Sequence, residues 1–403
     1  MPLVARLGGP DGWSSIAVAQ AIGMFCGVIT SFGSNVAGAA HVALAESAID
    51  KLNVYTLSFW SRLPIFIATI TAGTVVSWVL SAPGHELDSA LMCIGMGIAG
   101  LSMAWYGIGS GSPTLLILFE AVPRVGFVIV CIPLMLITGQ IFLYPLAVIL
   151  GTVLGLVLLH RRLFGRMCPL FPGFRSIGGA LSRNAKHAAI DGAGSAYVSA
   201  PLPLVGSMAG TIQTASFASS NQLFRYGLFV IVAASNTLQS WVLTPGSKSK
   251  AYKHLTAILI HLGIGGCGFL VLYAGGDFLT GILFGPELAG QQTVLFWYGV
   301  AYFSVSVSTP LIRNILIPGG RAGLILLTIN IAAVVGLAGM LVLGKALGPV
   351  GVAASYAASE TLVMLVLAIP AYTALKRSSA SEASKLRGLS QSVRNNAHPA
   401  RGA

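Results

Sequence analysis

The chain carries very little charge. Asp and Glu number 11 and Lys and Arg 23 among 403 residues, so only 8% of the chain is charged, whereas a soluble domain has about a quarter. Such a chain cannot cover a water-facing surface, which excludes an ordinary soluble protein. The hydrophobic fraction is 55% and the mean hydropathy is +0.83. We therefore expect an all-α integral membrane protein with many spans.

The motifs of covalent and metal chemistry are also missing. The five cysteines are scattered, without a CxxC pair or a Cys/His cluster, which argues against a disulfide framework or a metal site. The chain has no GxxxxGKS/T phosphate loop and no HExxH motif, so direct coupling to ATP is not expected. We therefore expect no cofactor, no metal and no enzymatic activity.

The basic residues indicate orientation rather than nucleic-acid binding. The net charge is +12, but Lys and Arg border apolar runs, so they are better explained by the positive-inside rule and by anionic lipid. Eleven stretches are apolar and long enough to span a bilayer. They cover 13–31, 62–81, 88–108, 113–138, 140–159, 189–211, 222–242, 253–275, 291–311, 322–345 and 350–373.

Nineteen of the 23 basic residues fall in alternate loops and in the C-terminal tail. Lys51 and Arg62 follow the first span, six basic residues lie in 161–187, and six more lie beyond residue 375. Because cytoplasmic loops carry an excess of Lys and Arg, the C-terminus is expected in the cytoplasm. With eleven spans, residue 1 is then expected outside.

Four segments follow from this pattern. Residues 1–160 form an N-terminal lobe of about five helices, and 161–187 form a basic cytoplasmic linker between lobes. Residues 188–375 form a C-terminal lobe of six helices, and 376–403 form a basic, Ser-rich tail that is expected to be disordered. The opening LGGPDGW is expected to be an outer hairpin that follows a first helix absent from this chain; the alternative is an eleven-helix protein with a short translocated tail.

Several stretches resemble one family in chain order. They are LVARLGGPDGWSSIAVAQAIG, SFGSNVAGAAHVALAE, FGPELAGQQTVLFWYGVAYFSVSVSTPLIRNILIPGGRAG and ALGPVGVAASYAASETLVMLVLAI. They resemble the polysaccharide-type (Wzx-type) flippases of the MOP superfamily, from about residue 3 to 375. The resemblance implies a twelve-helix, two-lobed bundle around a cavity that opens alternately to each side, here lacking the first helix.

The family also implies a cargo and a place. The cargo would be an oligosaccharide linked to undecaprenyl pyrophosphate, moved across the cell inner (cytoplasmic) membrane for surface polysaccharide assembly. Membrane lipid is an expected partner, and a polysaccharide polymerase and chain-length proteins are candidate partners, whereas nucleic acid is not. Coupling to Na⁺ or H⁺ stays open.

Moving a pyrophosphate-linked sugar through lipid requires a polar and preferably cationic cavity. Glu120 and Arg124 lie four residues apart on one helix face, in the favourable order for an ion pair. They are interpreted either as a cavity-lining pair, with Arg124 meeting phosphate, or as a structural pair that locks the bundle. Arg225 is either a cavity cation or a side chain that reaches the outer interface.

The other candidates lie in later spans. Glu360 is a mid-span carboxylate that should pair across helices or bind a proton or Na⁺. Arg313 either meets pyrophosphate at the inner end of its span or is an ordinary inside anchor. Tyr298 and Tyr302 share a helix face and either stack on sugar or pack in the core. His261 is expected to be a hydrogen-bonded structural residue.

Two other classes compete with the flippase. A cation-coupled multidrug or small-molecule exporter of the same superfamily would carry organic cations, which favours an acidic cavity. The intramembrane acids Glu120 and Glu360 are balanced by Arg124 and Arg225, so charge favours the flippase only mildly. A membrane-embedded glycosyltransferase or polymerase should have a large charged outer loop, and the outer loops here are short.

Overall fold

The computed structural model describes residues 1–244 and 250–396, and within these ranges the chain is helical and has no β-strand. The helices are α1 (Pro2–Ser31), α2 (Ser34–Ala43), α3 (Ala48–Val79), α4 (Glu86–Gly97), α5 (Ala104–Gly109), α6 (Pro113–Leu116), α7 (Val122–Thr138), α8 (Leu143–Phe164), α9 (Phe174–Ser199), α10 (Pro201–Met208), α11 (Thr211–Leu243), α12 (Lys250–Phe284), α13 (Gln292–Pro310), α14 (Ala322–Leu347) and α15 (Pro349–Asn396). Two short 3₁₀ segments (Ile98–Leu101 and Pro286–Leu288) and two π-helical segments (Ile117–Ala121 and Leu311–Leu316) complete the described structure.

Ten helical stretches of the described chain are long and apolar enough to cross a membrane. They are Pro2–Ser31, Ala48–Val79, Glu86–Gly109, Pro113–Thr138, Leu143–Phe164, Thr211–Leu243, Ala251–Phe284, Gln292–Leu316, Ala322–Leu347 and Pro349–Lys376. The all-α membrane class is therefore confirmed, and ten of the eleven expected spans qualify. The sixth, 189–211, is divided between α9 and α10, because Pro201 begins a new helix after a first half that contains Asp191 and two glycines.

The opening turn is a kink within α1 rather than a hairpin. Gly9 has a φ of 58°, which suits glycine, and Pro10 begins the next helical stretch because it needs no backbone N–H partner there. Beyond the kink, the fully buried Trp13 stacks on Phe284 with 5.4 Å between ring centroids. Its Nε1 donates to Ser219 Oγ at 3.1 Å.

Close backbone contact joins α1 to the third span. A Cβ atom added at Gly100 would lie 2.3 Å from the carbonyl oxygen of Gly27, and one added at Gly23 would lie 2.5 Å from that of Cys93. Small residues at both surfaces are what allow membrane helices to approach so closely.

The chain packs as two compact units. The first consists of Met1–Ser220, Phe278–Gln291 and Leu337–Val352, and the second of Asn221–Asp277, Gln292–Gly336 and the chain from Ala353 onward. The first unit continues past the expected linker at 161–187, so the units do not coincide with the expected lobes, which remain a prediction.

The C-terminal tail differs from its expected disorder. Helix α15 continues without interruption to Asn396, and residues 397–403 lie outside the described residues. The tail has no proline before 397 and only one glycine, so nothing strong breaks a helix that has already been nucleated by the last span.

Candidate functional site

The third candidate span, Glu86–Gly109, is broken within its length. Helix α4 passes into the 3₁₀ segment, Ser102 then takes an extended conformation with ψ of 143°, and α5 begins at Ala104. The break leaves carbonyl groups without helical partners. Irregular backbone is tolerated inside a membrane only where protein or a hydrated cavity satisfies such groups.

Arg62 supplies the partners for these carbonyls. Its Nη1 donates to the carbonyl oxygens of Gly100 at 2.8 Å and Ser102 at 3.0 Å, and its Nη2 lies 2.7 Å from Met103 Sδ. The guanidinium also lies 5.8 Å from the centre of the Trp105 ring. The charge therefore meets the negative end of a helix dipole rather than a carboxylate.

The position of Arg62 corrects the sequence analysis, which assigned it to a cytoplasmic loop. It lies inside α3 and is 0% exposed. In the described residues it forms no ion pair. The signal that could have found it is the apolar sequence on both sides, SFWS before it and LPIFIA after it, which places the arginine in a span rather than between two.

Opposite the break, the fourth span contains a π-helical turn. This turn, Ile117–Ala121, carries Glu120, and the hydroxyl of Ser102 donates to Glu120 Oε1 at 2.8 Å. The expected ion pair between Glu120 and Arg124 is therefore wrong for the described structure. The π turn bonds each residue to the fifth along rather than the fourth, so the two side chains are not stacked as on an α-helix.

Glu120 and Arg124 nevertheless line one cavity. Its polar lining also includes Ser102 and Thr152, and its remaining walls are largely aliphatic and aromatic. The cavity measures about 40 Å³, which is room for a small number of water molecules. Arg124 has no carboxylate partner in the described chain, so one cation borders this space without an ion pair.

The second unit contains a separate polar cluster on α11 and α13. Arg225 Nε donates to Asn221 Oδ1 at 3.1 Å, one helical turn earlier. Asn221 Nδ2 in turn donates to the hydroxyl of Tyr298 at 2.7 Å. Both Asn221 and Tyr298 are buried, at 5% and 0% exposure, so this chain of hydrogen bonds fixes the direction of the arginine.

Aromatic rings surround that chain. Phe224 stacks on Tyr298 with 5.0 Å between centroids and meets Tyr356 edge-on at 5.8 Å. Tyr302 donates to the carbonyl oxygen of Gly227 at 3.2 Å. A Cβ added at Gly268 would lie 2.0 Å from the Tyr302 ring, so this ring sits in a slot that glycine leaves open.

Glu360 lies one helical turn after Tyr356 on α15. The charges of Glu360 and Arg225 both act on the Tyr356 hydroxyl, which places Glu360 beside the same cluster. The structure thus brings together four residues that the sequence indicated separately: Arg225, Tyr298, Tyr302 and Glu360. The sequence analysis missed Asn221 and Tyr356. The spacing of four between Asn221 and Arg225 was the available signal for Asn221.

Arg313 lies on the second π-helical segment, and its Nη1 donates to Ser235 Oγ at 3.0 Å. His261 differs from its expected role, because neither ring nitrogen has a hydrogen-bond partner in the described residues. The backbone carbonyl oxygen of His261 accepts a hydrogen bond from Ser306 Oγ at 2.7 Å. Tight packing between α12 and α13 buries the ring completely.

Two solved structures resemble the chain over nearly its whole length. One is an inward-facing multidrug resistance MATE family transporter of the MOP superfamily, with 15% identity and a TM-score of 0.61, covering 94% of this chain and 96% of the other. A MATE transporter in a bent conformation has 16% identity and a TM-score of 0.48, covering 95% of both chains. No protein-family model and no curated protein matches the chain.

The first likeness shows that this multi-pass membrane protein has the same fold as that neighbour. The neighbour is named as a transporter of the MOP superfamily.

Proposed function

We propose that the protein is an alternating-access flippase that moves an oligosaccharide linked to undecaprenyl pyrophosphate across the inner membrane for surface polysaccharide assembly. One observation carries the proposal: Arg124 lies in a candidate span and borders a cavity without a carboxylate partner in the described residues. Cations left unpaired in a low-dielectric setting favour an anionic cargo.

The cavity beside Arg124 has the chemistry that a phosphate group requires. Arg124 supplies the charge, and the hydroxyls of Ser102 and Thr152 border the same space. Charge-assisted hydrogen bonds from the Arg124 guanidinium replace the water around phosphate oxygens in this proposal. The hydroxyls of Ser102 and Thr152 must first turn away from Glu120 and from the Val148 carbonyl to donate as well. Arg62 does not line this cavity; its role is to hold the Ser102 backbone in place by a hydrogen bond to the Ser102 carbonyl oxygen.

The second unit contributes a surface for sugar in this proposal. Tyr298, Tyr302 and Tyr356 offer ring faces, and Arg225 offers a donor, when the cluster is exposed during transport. Glu360 is the candidate for coupling to H⁺ or Na⁺, and Arg313 is the candidate for meeting pyrophosphate at the cytoplasmic end. A polymerase and chain-length proteins would receive the product.

The test is transport by the full chain in proteoliposomes. We would measure movement of a labelled undecaprenyl-pyrophosphate oligosaccharide for the wild type, Arg124→Gln and Arg124→Lys. Loss of a charged hydrogen bond to phosphate costs about 1.5–3 kcal/mol, so Arg124→Gln should slow transport roughly tenfold or more, with partial activity in Arg124→Lys. Lys345→Gln, at an exposed helix end, is the matched control.

A second candidate is an exporter of organic cations driven by Na⁺ or H⁺. The observation that favours it is the carboxylate of Glu360 beside a group of aromatic rings, a set that attracts organic cations. Uptake of an organic cation under an ion gradient, abolished by Glu360→Gln and unaffected by Arg124→Gln, would favour the exporter. Transport of a lipid-linked sugar that is lost in Arg124→Gln and unaffected by Glu360→Gln would favour the flippase.

A further inference from the structure

Between α8 and α9 the chain exposes an apolar surface outside the candidate spans. We call residues 161–175 the basic–aromatic loop; they include the last turn of α8, where the candidate span ends, and the first residues of α9. Phe174 is 83% exposed and Leu170 68%, while Met167 and Phe171 are 59% and 47% exposed. The preceding candidate span ends at Phe164, so these side chains follow directly from a membrane boundary.

Four exposed arginines accompany these apolar side chains: Arg161, Arg162, Arg166 and Arg175. No Asp or Glu occurs anywhere between residues 121 and 190. The positive charge of the loop is therefore not neutralised by acidic neighbours in this part of the sequence. The electrostatic complement of the loop is a surface that carries several negative charges.

The loop is held in shape by the first unit. Trp60 Nε1 donates to the carbonyl oxygen of Pro169 at 3.1 Å, and His160 Nδ1 donates to that of Met167 at 2.8 Å. Phe171 meets Trp60 edge-on at 5.2 Å between ring centroids. The exposed side chains are thus presented by an anchored backbone, so their exposure is a feature of the folded loop.

We propose that the basic–aromatic loop is a binding site for anionic phospholipid. Leu170 and Phe174 enter the boundary between headgroups and acyl chains, and the arginines bind headgroup phosphates. An apolar edge flanked by arginines is the pattern of segments that lie in the membrane interface. The charge distribution predicts this face to be cytoplasmic, and the site does not depend on which cargo is moved.

The experiment uses Cys168, which lies exposed within the loop. An environment-sensitive fluorophore is attached to it in the full chain carrying Cys267→Ala, which removes the other exposed thiol among the described residues. The protein is placed in nanodiscs of phosphatidylcholine with or without phosphatidylglycerol. Emission wavelength and quenching by acyl-brominated lipid are measured.

With phosphatidylglycerol present, we expect a blue shift and acyl-chain quenching that high salt weakens. Each Arg→Gln change among the four arginines should lower the apparent affinity for phosphatidylglycerol about fivefold. Leu170→Ser and Phe174→Ser should reduce quenching while leaving the protein folded, because both side chains are exposed. Arg321→Gln, outside the loop, should change neither signal.

Two results would overturn the proposal. Equal signals in the two lipid compositions would remove the role of anionic lipid. If the fluorophore stays accessible to a water-soluble quencher in phosphatidylglycerol nanodiscs, the loop does not contact the membrane. A soluble protein partner would then be the occupant to test.

Discussion

Ser102 and Glu120 are joined by a hydrogen bond of 2.8 Å that links the break in the third span to the π turn of the fourth. The same hydroxyl oxygen accepts from the backbone N–H of Ala104 at 3.2 Å, so it also pairs with the first N–H of α5. One side chain therefore stabilises two irregular backbone features at once.

Replacing this hydroxyl tests that role. Ser102→Ala should destabilise the protein by about 1–3 kcal/mol, because it leaves a partly buried carboxylate without its donor and the Ala104 N–H without its acceptor. Glu120→Gln should cost less, since an amide oxygen still accepts from Ser102. Thermal unfolding in detergent would measure both, and equal melting temperatures for Ser102→Ala and the wild type would contradict the prediction.

Arg62→Met should lower stability further. It leaves the carbonyls of Gly100 and Ser102 buried and unpaired, at about 1–3 kcal/mol for each group. Arg62→Lys should recover only part of the loss, because an ammonium lacks the planar fork that reaches both carbonyls. Folded yield by size-exclusion chromatography is the readout, with Arg321→Gln as the charge-matched control.

The slot that holds Tyr302 predicts a difference between two glycines of α12. Gly268→Ala should cost about 1–3 kcal/mol, because its Cβ would lie 2.0 Å from the Tyr302 ring. Gly266→Ala, with no atom within 4 Å of its added Cβ, should be neutral or stabilising. If the slot is the cause, Tyr302→Leu should relieve the cost of Gly268→Ala in a double-mutant cycle.

Cys168 tests the predicted orientation. A membrane-impermeant maleimide should label it only from the cytoplasmic side, when membrane vesicles of opposite orientation are compared. Burial raises the pKa of this thiol, so less thiolate is present at neutral pH and labelling should quicken as the pH rises above the ordinary thiol range. In the Cys267→Ala background, which removes the other exposed thiol of the described residues, Cys168→Ser should abolish the signal. Labelling of Cys168 from the outer side would reverse the assigned topology.

The sequence by itself determined the all-α membrane class and most of the spans. These depend on apolar length and on the distribution of Lys and Arg along the chain, which are sums over neighbouring residues and need no knowledge of distant ones. Ten of eleven expected spans qualify for this reason. The sixth does not, because a proline begins a second helix within it.

Only the tertiary structure decided which polar groups meet. Glu120 and Arg124 are correctly spaced for an ion pair, yet a π turn and the hydroxyl of Ser102 determine the partner of the carboxylate. Arg62 is basic and near an expected loop, yet a break 38 residues later supplies the carbonyls that make its burial favourable. A hydrogen bond across helices depends on backbone geometry at both ends, which residue spacing along one span does not give.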